Sequence, residues 1–373
     1  MLQTAVTSRS APPFSDVPFA QGAIEELQSV GHDVVLGPFV FQWPVDRFFI
    51  PGRATRVRGW MLMPDGPFDR MHAYVNGEEF YTCEPGHRPD VGAAFPHIPN
   101  ADRAMFTFEI PRRVARHGRI VVVGKRNDEP IGRMSFRFRD DLVRRFPTPP
   151  ANLTLRVVGT ADPRFFHAHG YKSYCELRDA VYRHWSGGPI PRLLDWGCGC
   201  GRLAMHWLRN RRVTEVHGCD IDAEGIAWCH ANLRRGQFAV VPFSPPTRYP
   251  DNYFHAVIAF SVFTHLTAPK QHEWLAEMRR IMVPGGVFAA SVEGSSAAWF
   301  RFGPPAHEML KAGINDSCRE PGMESVLNSD EYRRTYQTRD YTERVFSEYF
   351  DVLEYCERGI GNSQDLVVLR KRT

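Results

Sequence analysis

Two acids and a row of alternate glycines carry the clearest chemistry in this chain. Leu193-Leu194-Asp195-Trp196-Gly197-Cys198-Gly199-Cys200-Gly201-Arg202-Leu203 joins an apolar run to an acid, then to three glycines at every second position, then to a helical pattern. Glycines so spaced remove the Cβ atoms that would keep a ligand from the backbone N–H groups at a helix start. Leu203, Ala204 and Leu208 fall on one face of the helix expected there. Such a junction of strand, acid, glycine loop and helix suits a nucleotide-bearing ligand. A dinucleotide fingerprint would read G-x-G-x-x-G, with a pyrophosphate over the turn. Here the spacing is G-x-G-x-G, with the acid ahead of the first glycine. A second apolar run, Val216-His217-Gly218-Cys219, ends at Asp220, where a carboxylate can accept both hydroxyls of a ribose.

Two further stretches extend the pattern. Phe254-His255-Ala256-Val257-Ile258-Ala259-Phe260-Ser261-Val262-Phe263-Thr264-His265-Leu266 reads as a buried strand and the loop leaving it, and Met278 to Phe288 contains a Pro284-Gly285-Gly286 turn between a helix and a strand. In this order the four segments resemble the class I S-adenosylmethionine-dependent methyltransferases, over about half of the chain. That family usually carries Asp where His255 stands. The resemblance implies a Rossmann-like, seven-stranded, mostly parallel sheet that binds S-adenosyl-L-methionine. By the same analogy Gly197 and Gly199 rest against the methionine end of the cofactor, in a loop completed by Cys198 and Gly201. Asp195 orients that loop's backbone or the ammonium group, Asp220 takes the ribose hydroxyls, Ile221 covers one adenine face, and Phe260 lies near the methionine moiety. The family's adenine-amine partner follows the third strand, but Val240-Val241-Pro242-Phe243-Ser244 lacks the usual Asp.

Methyl transfer from a sulfonium is an in-line displacement, so donor and acceptor must be held aligned at about 3–3.5 Å. The reaction expected is transfer to an oxygen of a small molecule or a glycan. Transfer to nitrogen or carbon of a natural product is the alternative. An NAD-dependent oxidoreductase and a non-catalytic, cofactor-binding scaffold whose β-sandwich recruits a partner are the rivals from other classes. A hydroxyl acceptor needs a general base, and His265, just past the fourth strand, is the candidate; its bland alternative is a histidine packed beneath the loop. His167 and His169, ahead of the first helix, could cover the cofactor, and Glu293 could face the substrate. Tyr171 and Tyr174 could approach the sulfonium by cation–π contact, although aromatics at this helical spacing are commonly core.

The 373-residue chain is long enough for two domains. Residues 1–33 read as an arm with one short helix near Ile24 to Val30. Residues 34–145 read as an antiparallel β-sandwich, an all-β domain with strands at Thr55 to Met63, Ala73 to Val75, Ala104 to Ile110 and Ile120 to Gly124. Asn76-Gly77 is its strongest hairpin signal. Pro147, Pro149 and Pro150 mark a linker from Arg144 to Leu155. The methyltransferase domain is assigned to 146–373, with a helix from Tyr171 to His184, alternating helices and strands near Val213, Phe238, Phe254 and Gly286, and a closing antiparallel pair, Phe350 to Tyr355 with Gln364 to Arg370. Residues 292–340 exceed an ordinary connection and read as a substrate-covering insertion. Trp299, Phe300 and Phe302 within it suit either substrate stacking or lid packing.

Composition narrows the partners. A net charge of +4, with arginines dispersed, gives no basic stripe for nucleic acid. No run of 18 apolar residues spans a membrane and no secretory leader opens the chain, so a cytoplasmic protein is expected. The eight cysteines make neither a disulfide scaffold nor a metal set. A homo-oligomer is compatible with the sequence.

Overall fold

The computed structural model describes residues 21–29, 55–110, 117–139, 142–319, 332–361 and 363–373. The chain divides into two compact units, Met1–Asp141 and Leu142–Thr373.

The first unit contains β1 (Gln21–Ser29), β2 (Thr55–Leu62), β3 (Arg70–Val75), β4 (Glu78–Cys83), the two-residue β5 (Gly86–His87), α1 (Pro89–Ala94), β6 (Arg103–Ile110), β7 (His117–Arg126) and β8 (Glu129–Arg139). They form two four-stranded antiparallel sheets, ordered β1-β2-β6-β5 and β4-β3-β7-β8. Alternation sets the inward face: Met71, Ala73 and Val75 of β3 are buried, as are Val57, Phe106 and Phe108 of the other sheet. Asn76 and Gly77 make the expected turn at positive φ, 53° and 89°. Asn127 and Asp128 make a second such turn, between β7 and β8, at 51° and 65°. The helix expected near Ile24 is instead the strand β1, which pairs with β2 in the register Ile24↔Gly59. Pairing to a neighbouring strand overrides the local helical preference of this segment, so residues 21–29 belong to a sheet rather than to a loose arm.

The second unit starts with α2 (Leu142–Arg145), α3 (Ala151–Val158) and α4 (Pro163–His184). The core fold continues as β9 (Ile190–Trp196), α5 (Ala204–Trp207), β10 (Val213–Asp220), α6 (Ala223–Asn232), β11 (Gln237–Val240), β12 (Phe254–Ala259), α7 (Ala268–Ile281) and β13 (Met282–Val292). Then come α8 (Ser295–Phe302), α9 (Pro305–Met309), β14 (Ile314–Arg319), β15 (Arg333–Gln337), α10 (Arg339–Ser347), β16 (Asp351–Ile360) and β17 (Gln364–Arg370). Seven strands lie in the order β11-β10-β9-β12-β13-β17-β16. The first five are parallel, and the closing pair is antiparallel as expected. Helices cover both faces, so the central strands are apolar nearly throughout: Leu193, Leu194, Val257, Ile258, Phe288 and Ala289 have no exposed surface.

Three local expectations are corrected. The proline-rich stretch is not an open linker, because Pro150 caps the eight-residue α3 and Gly159 ends it in the left-handed conformation, φ 70°. His167 and His169 do not precede the first long helix but lie within α4, which begins at Pro163. The helix after the glycine loop is the single turn α5, closed by Leu208. So short an element has little dipole.

Gly201 sits at φ 77°, and a side chain there would collide with Leu233 of the α6 end. Gly201→Ala is therefore expected to destabilise the second unit by about 1–3 kcal/mol, measured by chemical denaturation of the full chain.

Candidate functional site

Strand order reverses between β9 and β12, and in open α/β sheets this is where the loops part to admit a ligand. A cleft opens there, lined mainly by the residues that leave β9, β10, β11 and β12. Its floor is Gly197 and Gly199, at φ 75° and 52°. A Cβ on Gly197 would collide with Val262, and one on Gly199 would stand 2.9 Å from Val157, so glycine alone leaves this cradle open. The loop is tied to the next strand: Gly197 N–H donates to Cys219 O at 2.8 Å, and Gly199 N–H donates to Asp220 Oδ2 at 2.6 Å. The other oxygen of Asp220 accepts from Asp222 N–H at 2.9 Å. Desolvation pushes this carboxyl up, against the pull of those two donors, and each oxygen keeps a lone pair for a ligand hydroxyl.

Where an acid might have followed the third strand, the wall is apolar. Val241 and Phe243 line it together with Trp196 and Trp274, whose rings lie 4.8 Å apart. Trp274 is fixed by donating its indole N–H to Phe243 O at 3.0 Å. Beyond β12, Phe260 enters the cleft and Ser261 turns the chain at φ 60°, an unusual conformation for serine. Ser261 N–H donates to Ser291 Oγ at 2.8 Å, and Gln364 donates to Ser261 Oγ at 3.1 Å, so β13 and β17 hold the strained turn in place.

His265 lies in a 3₁₀ turn, Phe263–His265, on the cleft wall. Its Nδ1 lies 3.0 Å from Arg333 O and must carry the proton, since a carbonyl only accepts. Nε2 is thus bare. Tyr332 of the insertion stacks on the ring at 4.2 Å and also lines the cleft. Burial pushes the imidazole down to about 4, so it is neutral near pH 7.

Residues 193–286 match the methyltransferase domain family. The second unit carries a methyltransferase domain. A curated relative, a fatty-acid O-methyltransferase of Mycolicibacterium smegmatis, is 32% identical over 101 residues, which are 26% of this chain and 35% of that protein. The chain thus spans about a third of that relative's length. A methyltransferase structure from Methanosarcina mazei is 17% identical, with a TM-score of 0.40 over 52% of this chain and 96% of the other. The didemethyltoxoflavin N1-methyltransferase of Burkholderia thailandensis, solved with S-adenosylhomocysteine, is 15% identical, with a TM-score of 0.36 over 54% and 81%.

Within the methyltransferase domain the residues singled out from the sequence fall into two groups. Gly197, Gly199, Asp220, Ile221, Phe260 and His265 all line the cleft. Asp195, Cys198 and Gly201 stand behind it. Asp195 is 2% exposed, with the Ala204 N–H on its carboxyl and no hydrogen-bond partner on Oδ2 among the described residues, and burial pushes it up to about 7. Its position suits orienting the loop backbone better than reaching a ligand. The Cys198 thiol packs in the core and is pushed up by burial, so only its backbone borders the loop. Tyr174 packs on His206 and Trp207, as a core aromatic does. Glu293 is paired with Arg334 at 3.4 Å, outside the cleft. Trp299 and Phe302 pack on a cluster containing Ala298 and Tyr336, which favours lid packing over substrate stacking. His169 does reach the cleft region, stacked on Phe260 at 5.6 Å.

Sequence reading missed four contributors: Trp274, Arg156, Tyr332 and Arg202, all on the cleft wall. Arg156 of α3 pairs with Asp222 at 2.9 Å and with Glu224, fastening that helix beside the cradle. Only Arg202, adjoining the third glycine, carried a signal in its position.

His265 and His167, both pushed down to about 4 by burial, resist protonation in the folded state. Their stabilising share is therefore complete above about pH 6.5 and lost as pH falls toward 4. Denaturation at pH 7.5, 6 and 5 should show that loss, and the His167→Asn, His265→Asn double variant should lessen it by on the order of 1 kcal/mol or more.

Proposed function

We propose that the second unit transfers a methyl group from S-adenosyl-L-methionine to an oxygen of a small molecule, and that this oxygen belongs to a carboxylate. The observation that carries the cofactor reading is the convergence of Gly197, Gly199 and Asp220 in one cleft at the switch point of the sheet. The residues fit the group: the cradle is one that any Cβ would fill, and Asp220 retains acceptor capacity toward a diol. When bound, S-adenosylmethionine supplies an electrophilic methyl on a sulfonium. The chain's own work is then to hold, orient and exclude water. Asp220 would hold the ribose hydroxyls, Ile221 and the Val241, Phe243 and Trp274 wall would bury the adenine, and Phe260 would close the methionine side.

The acceptor reading follows from proton bookkeeping at His265. A hydroxyl acceptor with a pKa far above neutrality must lose its proton to a base. His265 offers a bare Nε2, but an imidazole pushed down to about 4 is a feeble base for that task. A carboxylate is already deprotonated at pH 7 and asks only for alignment and desolvation. The fatty-acid O-methyltransferase named above supports an oxygen acceptor of this kind. The second reading, a hydroxyl acceptor with His265 as base, rests on the unprotonated Nε2 of a ring that lines the cleft. In the carboxylate reading His265 and Tyr332 instead form a neutral, flat side of the acceptor channel.

Calorimetric titration with S-adenosylhomocysteine is expected to give micromolar binding, weakened at least tenfold, or ~1.4 kcal/mol, by Asp220→Ala. Binding of NAD alone would sink the reading. A panel of acids and alcohols assayed for S-adenosylhomocysteine release separates the acceptors. With an acid, His265→Gln should leave the rate within about threefold and flat above pH 6; with an alcohol it should cut the rate by about 10²-fold or more.

A further inference from the structure

One cation in the cleft has no use in the mechanism above. Arg202 is 8% exposed, yet it lines the cleft between the glycine loop and Phe260. Its position is built. Gly170 of α4 lets the arginine stem cross the helix, since a Cβ there would stand 2.8 Å from Arg202 Cγ. Nη1 donates to His169 Nδ1 at 3.1 Å, and because arginine only donates, that nitrogen must be the bare one. Burial and the neighbouring Arg202 and Lys172 hold His169 well below its usual range, so it remains neutral. The guanidinium carbon lies over the Phe260 ring at 4.7 Å, and Nε is buried with no hydrogen-bond partner among the described residues.

The two groups seen against this guanidinium among the described residues, His169 and the Phe260 ring, are uncharged. Asp195 is close enough to attract it but makes no ion pair with it among the described residues. Arg156, the other arginine of the cleft, is committed to Asp222 and Glu224. A guanidinium held out of water without a paired anion is unfavourable, and its forked donors match a carboxylate. We infer that Arg202 is the carboxylate-binding residue of the cleft, and that its partner arrives with a ligand. Two ligands of the proposed reaction bring a carboxylate: the amino-acid end of the cofactor and an acid acceptor. This inference rests on the proposed methyltransferase function. It adds to that function a charged contact beside the glycine loop, on the Phe260 side.

The test uses the full chain and three probes. S-Adenosylhomocysteine carries the amino-acid carboxylate, methylthioadenosine has the same nucleoside without it, and sodium octanoate supplies a carboxylate alone, titrated into enzyme loaded with S-adenosylhomocysteine. Arg202→Gln is compared with Arg202→Lys, which keeps the charge and loses the fork. If the partner is the cofactor, Arg202→Gln weakens S-adenosylhomocysteine at least tenfold and leaves methylthioadenosine within twofold, with Arg202→Lys in between. If the partner is the acceptor, both nucleosides bind as in the wild type and octanoate binding is lost. Equal weakening of both nucleosides, or no change with any probe, overturns the inference. Methylthioadenosine also reports whether each variant is folded. A wild type that binds neither nucleoside refutes the cofactor reading instead, and octanoate alone then decides the role of Arg202.

Discussion

The bond from Gly199 N–H to Asp220 Oδ2, at 2.6 Å, is the constraint on which the site depends. It joins the loop after β9 to the last residue of β10, two elements that only the parallel register of the sheet brings side by side. Without a Cβ at positions 197 and 199 the loop can fold flat against the strand ends, and with the Asp220 carboxylate beneath it the exposed amides have a fixed direction. The same carboxylate receives Asp222 N–H, and Asp222 in turn caps α6 and holds Arg156. One acid thus orders the glycine loop, the start of a helix and, through Arg156, the placement of α3. Since both of its oxygens are already engaged by backbone donors, its orientation is set before any ligand arrives, which is the condition for binding without reorganisation.

Desolvation is the second organising effect. Asp195, Arg202, His169 and His265 all sit in or behind one cleft, and in each burial works against the charged form. The consequences differ with chemistry. Histidines can shed their charge and do so, which makes them neutral walls and acceptors. An arginine keeps its charge, so the same environment leaves a buried cation that Asp195 attracts without forming an ion pair among the described residues. This contrast separates the two residues around Phe260 more sharply than their proximity would suggest.

Much of this was legible in the sequence because it rests on spacing. The G-x-G-x-G loop, Asp220 at a strand end and Phe260 after the fourth strand occupy positions dictated by strand periodicity, and all reach the cleft save Gly201, the last glycine of the loop. What spacing cannot give is the direction of a side chain in a loop. Asp195 and Cys198 lie within the motif, yet alternation on β9 and the turn that follows point them into the core. Nor does it show contacts made by remote segments. Trp274 comes from the middle of α7 and Tyr332 from the end of the insertion, and neither has a local pattern that distinguishes it from an ordinary packed aromatic. The strand β1 was hidden for the same reason: its conformation is decided by its partner β2, not by its own residues.

The two sides of the cleft are made differently. The side with the glycines is built from strand ends, so its geometry is inherited from the sheet and leaves little freedom. The opposite side is built from loops: Ser261 in a strained turn braced by Ser291 and Gln364, and His265 fixed in one tautomer by the Arg333 carbonyl and flattened by Tyr332. Arg333 begins β15, whose partner β14 lies wholly within the segment added after β13. The added segment therefore bears on the cleft wall, because its backbone fixes the tautomer of His265. Changes in that segment would alter the acceptor side while the tie between Gly199 and Asp220 stayed intact. Under the proposed function, an arrangement of this kind would let acceptor choice vary over a constant floor, with its determinants in Tyr332, Arg333 and their neighbours rather than in the glycine motif.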